Sequence, residues 1–157
     1  MKKLNVMLLA VLSVSCATQN TKMDSDEQYR NLIVGTWSCP MSSVEDGVKM
    51  DMDIKTIYKS DGTSQASGTF IVDSPMASNA EFQFTATGSW RIEQQSVFDV
   101  TTSMHFTSNT HPEMAEHFNR ADLATLNEEE ESEIVELDKR HFRFRSEEET
   151  YECIRLQ

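Results

Sequence analysis

The sequence lacks the short motifs that mark many enzymes. It has no Gly-x-Ser-x-Gly nucleophile motif, no Gly-x-Gly-x-x-Gly dinucleotide motif and no phosphate-binding loop. Carboxylates are plentiful, but they fall on predicted polar faces, so no two of them stand out as an acid–base pair. We therefore expect neither catalysis nor a cofactor.

Basic residues are also scarce. The 157 residues include 14 Lys+Arg against 26 Asp+Glu, a formal net charge of -12. Nucleic acid is an unsuitable partner for such a chain, because binding to it depends on neutralising phosphates. With only 3 Pro and 5 Gly, the sequence is not collagen-like or of low complexity, and its length suits one domain with its own core.

A pattern of metal ligands is missing as well. There is no Cys-x-x-Cys pair, and His105, His111 and His117, three of the four histidines, are spaced by six, so no two of these share a helix face. The runs of glutamate match no calcium-loop template. We expect no metal site.

No apolar run is long enough to span a bilayer, which takes about 20 residues. The nearest approach is the N-terminus, where Lys2 and Lys3 precede a mainly apolar stretch over residues 4–12, and small residues then lead to Cys16. This layout is typical of a secretory signal. We assign residues 1–15 to a signal peptide.

The end of this leader resembles the cleavage box of bacterial lipoproteins, in which the Cys becomes the lipid-modified first residue. Ser15 fits that box, whereas Ser13 stands where the box usually has Leu. The resemblance implies lipidation of Cys16 and, because Ala17 follows, an outer-membrane address facing the periplasm. Ordinary cleavage after Ala17 would instead give a free periplasmic protein. Residues 16–31 are polar and without strand periodicity, so we predict a stalk and membrane contact through the anchor only.

Two further cysteines, Cys39 and Cys153, remain if Cys16 carries lipid. An even pair in an oxidising compartment usually bonds. The two lie in the first and last predicted strands, which become neighbours when a sheet closes on itself. We predict a disulfide that contributes on the order of 4 kcal/mol through chain entropy; the alternative is two unpaired buried thiols.

Alternating apolar and polar residues predict an all-β domain over residues 32–157. Residues 47–58 alternate cleanly, and strands are also predicted over residues 63–72, 81–92 and 96–106. Asp61-Gly62 predicts a hairpin turn, and Gly88 a bend or bulge. The three remaining predicted strands cover residues 133–137, 141–145 and 150–156.

One short helix interrupts the strands. Thr110 and Glu113 form a capping box with Pro112 in the first turn, and the helix is predicted to stop near Asn127. It lies between strands five and six. Eight strands in meander order favour an eight-stranded antiparallel barrel, and a two-sheet sandwich is the alternative.

Several short segments resemble lipocalin-like proteins: Val34-Gly35-Thr36-Trp37, the hairpin over residues 58–63, Gly88-Ser89-Trp90 and the closing segments up to Arg155. In that family a Gly-x-Trp begins the barrel, the Trp plugs one end, and a late Arg stacks on it. The resemblance implies that Arg155 stacks on Trp37, a cation–π contact of about 1 kcal/mol. The helix before strand six departs from the family, whose helix usually follows the last barrel strand.

The predicted inward-facing residues form a flexible, aromatic-rich set, which we assign to ligand binding: Met50, Met52, Phe82, Phe84, Phe98, Met104 and Phe106. The interior of an eight-stranded barrel is either filled by side chains or holds one small ligand. For a hollow barrel, the expected guest is apolar: a fatty acid, lipid, quinone or bile-salt-like molecule.

A filled barrel would point instead to a protein partner at the envelope. One version is a lysozyme-inhibitor-type lipoprotein, because an acidic domain attracts a cationic enzyme. Residues 66–70 are similar to the Ser-Gly loop of such inhibitors, without the basic residue that follows it there. Our prediction is the ligand-binding barrel, and the protein-binding module is the alternative.

Overall fold

The computed structural model describes residues 25–45, 47–75, 77–120, 126–147 and 149–157. The leader, Cys16 and most of the predicted stalk lie outside these residues. The elements are α1 (Ser25–Ile33), β1 (Gly35–Glu45), β2 (Val48–Tyr58), β3 (Thr63–Ser74), β4 (Ala77–Glu93), β5 (Ser96–Thr107), α2 (Pro112–Arg120), β6 (Glu129–Leu137), β7 (His141–Ser146) and β8 (Glu149–Arg155).

The strands form a closed antiparallel barrel in meander order, from β1 round to β8. This confirms the predicted all-β fold class, and α2 lies between β5 and β6 as predicted. Among the described helices, none combines the length and apolar character needed to cross a membrane.

Strand pairing is uneven around the barrel. Between β1 and β8 only Trp37 and Ser38 have ladder partners, and β5 pairs with β6 only over residues 96–100. The ladders that join β1 through β5 are much longer. All eight strands therefore meet only at the end that holds Trp37 and Arg155, which we call the closed end. Beyond it β1 to β5 continue as a curved sheet, with α2 packed on β5; we call this the open end.

The closed end is built around Trp37, which is fully buried. Its indole N–H donates a hydrogen bond to the carbonyl of Ile33 at the end of α1 (2.7 Å). The Arg155 guanidinium stacks on the Trp37 ring at 4.3 Å and donates to the carbonyls of Val34 and Leu32. A cation that binds the last carbonyls of a helix stabilises its C-terminus. The stacking implied by the lipocalin resemblance is present.

Gly35 makes room for this arrangement. Its φ of +146° is one that side-chain-bearing residues rarely adopt, and a Cβ there would run into the Arg155 guanidinium. The first residue of the Gly-x-Trp motif is therefore explained by the position of the arginine.

A disulfide joins Cys39 and Cys153, as predicted, with their Cα atoms 4.2 Å apart. The two cysteines come one step beyond the last ladder pair, Ser38 with Ile154. The covalent bond thus extends the β1–β8 seam at the point where its backbone pairing ends.

Helix α1 was not predicted, and it includes residues 25–31 of the predicted stalk. Tyr29, Leu32 and Ile33 follow helical spacing and pack against the core of the closed end. The Asp26 carboxylate accepts hydrogen bonds from the backbone N–H groups of Gln94 and Gln95 in the β4–β5 turn. Three apolar residues in a polar stretch carry little periodic signal, so the segment looks like a linker in the sequence.

Helix α2 is described from Pro112 to Arg120, and its predicted continuation towards Asn127 runs through residues 121–125, which lie outside the described residues. The backbone N–H groups of Met114 and Ala115 both donate to the carbonyl of His111. At the start of the helix the His111 N–H donates to the Ser108 hydroxyl, and this bond takes the place of the predicted capping box of Thr110 and Glu113. Strand β6 begins earlier than predicted, so Glu129 lies in the sheet and pairs with Arg91 of β4.

Candidate functional site

In the part of the chain that the structure describes, a groove at the open end is lined only by apolar side chains. Its volume is about 390 Å³ and it is formed by four strands and α2; its lining residues are Met50, Met52, Ile54, Phe70, Phe84, Met104, Phe106 and Phe118. We call it the apolar groove. Small-molecule sites usually measure about 300–1,000 Å³ and are mostly apolar.

Five of the seven predicted ligand-binding residues line this groove: Met50, Met52, Phe84, Met104 and Phe106. Each of them keeps partial exposure. Period-two alternation on β2 and β4 placed their side chains correctly on the inner face. The structure therefore brings together most of the set that the sequence singled out.

Phe82 is different, because it is fully buried beneath the groove. Its ring stacks on Phe70 with centroids 4.9 Å apart and meets Phe118 of α2 edge-on at 5.3 Å. It supports the groove from below and does not line it.

The placement of Phe98 on the inner face was wrong. Phe98 lies on the outer face, where the Arg91 guanidinium sits 4.2 Å from its ring centroid. Gly88 pairs with Thr101 while Thr87 pairs with Ser103, so Thr102 is an extra residue on β5. Such a bulge inverts the alternation of side chains. The irregularity predicted at Gly88 is present, but its effect on β5 was not foreseen.

Helix α2 is fastened to the edge of β5 by one side chain. The Asn119 amide accepts from the Phe106 N–H and donates to the Phe106 carbonyl, both at 2.8 Å. Asn119 thus pairs with the β5 backbone as a neighbouring strand would. These two hydrogen bonds and the buried Ala115 hold Phe118 against the groove.

A second space of about 300 Å³ lies inside the barrel, with residues from all eight strands in its lining. We call it the inner cavity. Aromatic and aliphatic side chains alternate there with polar ones: Met41, Thr56, Tyr58, Ser64, Ala66, Ala86, Thr87, Gly88, Val97, Asp99, Thr101, Glu130, Ser132, Phe142, Phe144, Ser146 and Tyr151. Two carboxylates and no Lys, Arg or His occur among these lining residues.

Asp99 faces this cavity because the bulge turns it inward. Tyr58, which is almost fully buried, donates its hydroxyl to the Asp99 carboxylate at 3.2 Å. Burial raises the pKa of Asp99 to about 6; the Tyr58 hydrogen bond opposes this and the charge of Glu130 adds to it. Burial and the nearby Asp99 raise the pKa of Tyr58 well above its ordinary value.

The two spaces adjoin along the barrel axis. On β2, Ile54 lines the apolar groove and the next inward residue, Thr56, lines the inner cavity. On β4, Phe84 lines the apolar groove and the next inward residue, Ala86, lines the inner cavity. On both strands the lining therefore changes from the apolar groove to the polar, acidic cavity between one inward-facing residue and the next.

Sequence reasoning missed Phe70, Phe118, Tyr58 and Asp99 as site residues. Phe70 lies in a strand rich in small residues, whose pattern is weak, and the part played by Phe118 depends on where α2 packs. The position of Asp99 depends on a bulge that a single sequence does not reveal. Residues 66–70, compared above with an inhibitor loop, lie inside β3 and pair with strands on both sides.

In the described part of the chain, no three His, Cys, Asp or Glu side chains converge as metal ligands. No protein-family model matches the sequence, and no curated protein matches it significantly.

Proposed function

We propose that this protein binds a small apolar molecule in the apolar groove, as a lipid-anchored protein of the bacterial cell envelope. The observation that carries the proposal is a concave surface without polar lining whose Met and Phe side chains keep partial exposure. Exposed apolar surface costs roughly 25 cal/mol per Å², so a guest that covers it gains affinity. Met side chains adapt to guests of different shape.

The anchor belongs to the same proposal. It rests on the N-terminal leader and Cys16, which lie outside the described residues. Ser25, the first described residue, belongs to α1 at the closed end. A tether from Cys16 would join the barrel there, at the end opposite the apolar groove. Incorporation of labelled palmitate into the wild-type chain, and none into Cys16→Ala, would support the anchor; equal labelling of both would contradict it.

Mass spectrometry of bound molecules tests the groove. The full chain is exported into an oxidising compartment, purified and extracted with organic solvent. Truncation near Asn31 is avoided, because it would cut through α1. We expect one apolar species in near-stoichiometric amount from the wild type, and its loss from Phe84→Arg, which places a charge in the groove.

Phe98→Arg is the matched control, because it makes the same substitution on the outer face of the barrel. It should retain the bound molecule. Loss from both variants, or retention by both, would contradict binding in the groove. An empty wild type that also fails to bind added apolar probes would favour a protein-binding role instead.

A further inference from the structure

We propose that the guest is a cationic amphiphile, whose apolar chain occupies the apolar groove and whose amine head enters the inner cavity beside Asp99 and Glu130. This inference rests on the proposed function and names the chemical class of its ligand. It follows from the charge of the inner cavity and from its position next to the groove along the barrel axis.

The charge of the cavity is unbalanced. Asp99 and Glu130 line it, whereas none of its lining residues is basic. The nearby arginines of the β4–β7 face point outward, where Arg91, Arg143 and Arg145 each pair with an outer glutamate. An ammonium group would supply the missing counter-charge, and a buried carboxylate gains most from such a partner.

The cavity also offers hydrogen-bond acceptors. A primary ammonium has three N–H donors and no acceptor. Thr56, Ser64, Thr101 and Ser132, whose hydroxyl oxygens can accept hydrogen bonds, line the cavity together with Asp99 and Glu130. A fatty acid or bile salt would instead bring a negative head towards Asp99, where like charges repel. The structure thus favours an amine over the anionic guests that the sequence alone allowed.

Three probes with the same chain and different heads separate these cases: decylamine, decanol and decanoate, each below its micelle-forming concentration. Their affinities for the full chain at neutral pH are measured by titration calorimetry. We expect decylamine to bind tightest and decanoate weakest, with about tenfold or more between them, because a hydrogen bond between charged groups is worth that much. Phe84→Arg should weaken all three.

In Asp99→Asn, the affinity for decylamine should fall close to the affinity for decanol, while the affinity for decanol should not fall. Asp53→Asn, an exposed carboxylate on the outer face of β2, is the matched control and should leave the order unchanged. If Asp99→Asn does not fold, Glu130→Gln and the pH dependence of the wild type provide the same test.

Lowering the pH should reduce the preference for decylamine over decanol. The titratable groups lining the cavity with Asp99 are Tyr58 of β2, Glu130 of β6 and Tyr151 of β8. Because Asp99 is protonated below about pH 6, the advantage of decylamine over decanol should shrink between neutral pH and about pH 5.

The outcomes separate the two proposals. Equal binding of the three probes, all lost in Phe84→Arg, would overturn the amine inference and leave the apolar groove intact. Tightest binding of decanoate would also overturn it. Failure of all three probes to bind would count against the proposed function itself.

Discussion

The two ends of this barrel differ in how completely their apolar side chains are covered. At the closed end, Trp37, Ile33 and Cys153 have no exposed surface, and the carbonyls that end α1 accept hydrogen bonds from Trp37 and Arg155. At the open end, Met and Phe side chains such as Phe84 stay partly exposed around a groove. The closed end is therefore expected to determine stability, and the open end to determine binding.

Apolar composition alone does not reveal a binding site in this barrel. Both ends hold clusters of aromatic residues. They differ in whether a further element covers the cluster, since α1 completes the closed end while α2 covers the open-end cluster only in part.

The largest effect is expected at the seam. The double variant Cys39→Ser, Cys153→Ser should lose roughly 4–5 kcal/mol of unfolding free energy, because the disulfide closes a loop with a sequence separation of 114. The backbone seam beside it is short: two ladder pairs join β1 to β8, and the Leu156 N–H donates to the Thr36 carbonyl. Urea unfolding measures the loss. A reductant should weaken the wild type and leave the double variant unchanged; a loss below about 1 kcal/mol would contradict the role of the seam.

Arg155→Met should lower the unfolding free energy by about 2–3 kcal/mol, because the carbonyls of Val34 and Leu32 lose a charged donor and Trp37 loses its stacking partner. Arg143→Met is the matched control. Arg143 pairs with Glu136 on the exposed outer face, so its loss should change stability by less than about 1 kcal/mol. Equal losses of stability in the two variants would contradict the expectation that the closed end determines stability.

Asp99 predicts a pH effect on stability. Its pKa of about 6 in the folded protein exceeds the ordinary 3.8, so the folded state holds a proton that the unfolded chain has lost. The stability that this provides is fully present below about pH 4 and is lost as the pH rises through 6. Between those two pH values, the unfolding free energy of Asp99→Asn should therefore rise by about 2 kcal/mol relative to that of the wild type.

Thermal or urea unfolding of both chains across that range measures the effect. Asp138 does not interfere, because backbone hydrogen bonds lower its pKa to about 2, outside the window. A constant difference between wild type and variant from pH 4 to pH 7 would show that Asp99 is not held in a buried site.

The smallest effect is expected for Phe98→Arg. It removes the contact with the Arg91 guanidinium, worth about 0.5–1 kcal/mol. The new charge lies between Arg91 on β4, which repels it, and Glu131 on β6, which attracts it, so the two effects partly cancel. Stability should change by less than about 1 kcal/mol, and probe affinity should stay the same. A large loss of stability or of probe affinity would contradict the outer-face position of Phe98.

The sequence predicted what periodicity and local chemistry control. The strand order, the disulfide and the inward faces of β2 and β4 follow from alternation and from two cysteines at opposite ends of the domain. The turn at Asp61 is a similar case, because Asp61 accepts from the Thr63 N–H and Gly62 supplies the positive φ. Such features depend on neighbours in sequence.

Features that depend on partners distant in sequence were missed. The inward position of Asp99 requires the bulge at Thr102, and that bulge is visible only in the register between β4 and β5. The helical state of residues 25–31 requires the core of the closed end, against which Ile33 packs. Tertiary packing overrides weak local preference in both segments.

Methyl resonances of methionine test the contrast between the two ends most directly. Met50, Met52 and Met104 line the apolar groove, and the Trp37 indole N–H reports on the closed end. Titration of methionine-methyl- and ¹⁵N-labelled protein with decylamine should shift the three methyl signals saturably and leave the Trp37 signal in place. Unchanged methyl signals at saturating probe, or equal shifts at both ends, would contradict a binding site confined to the open end.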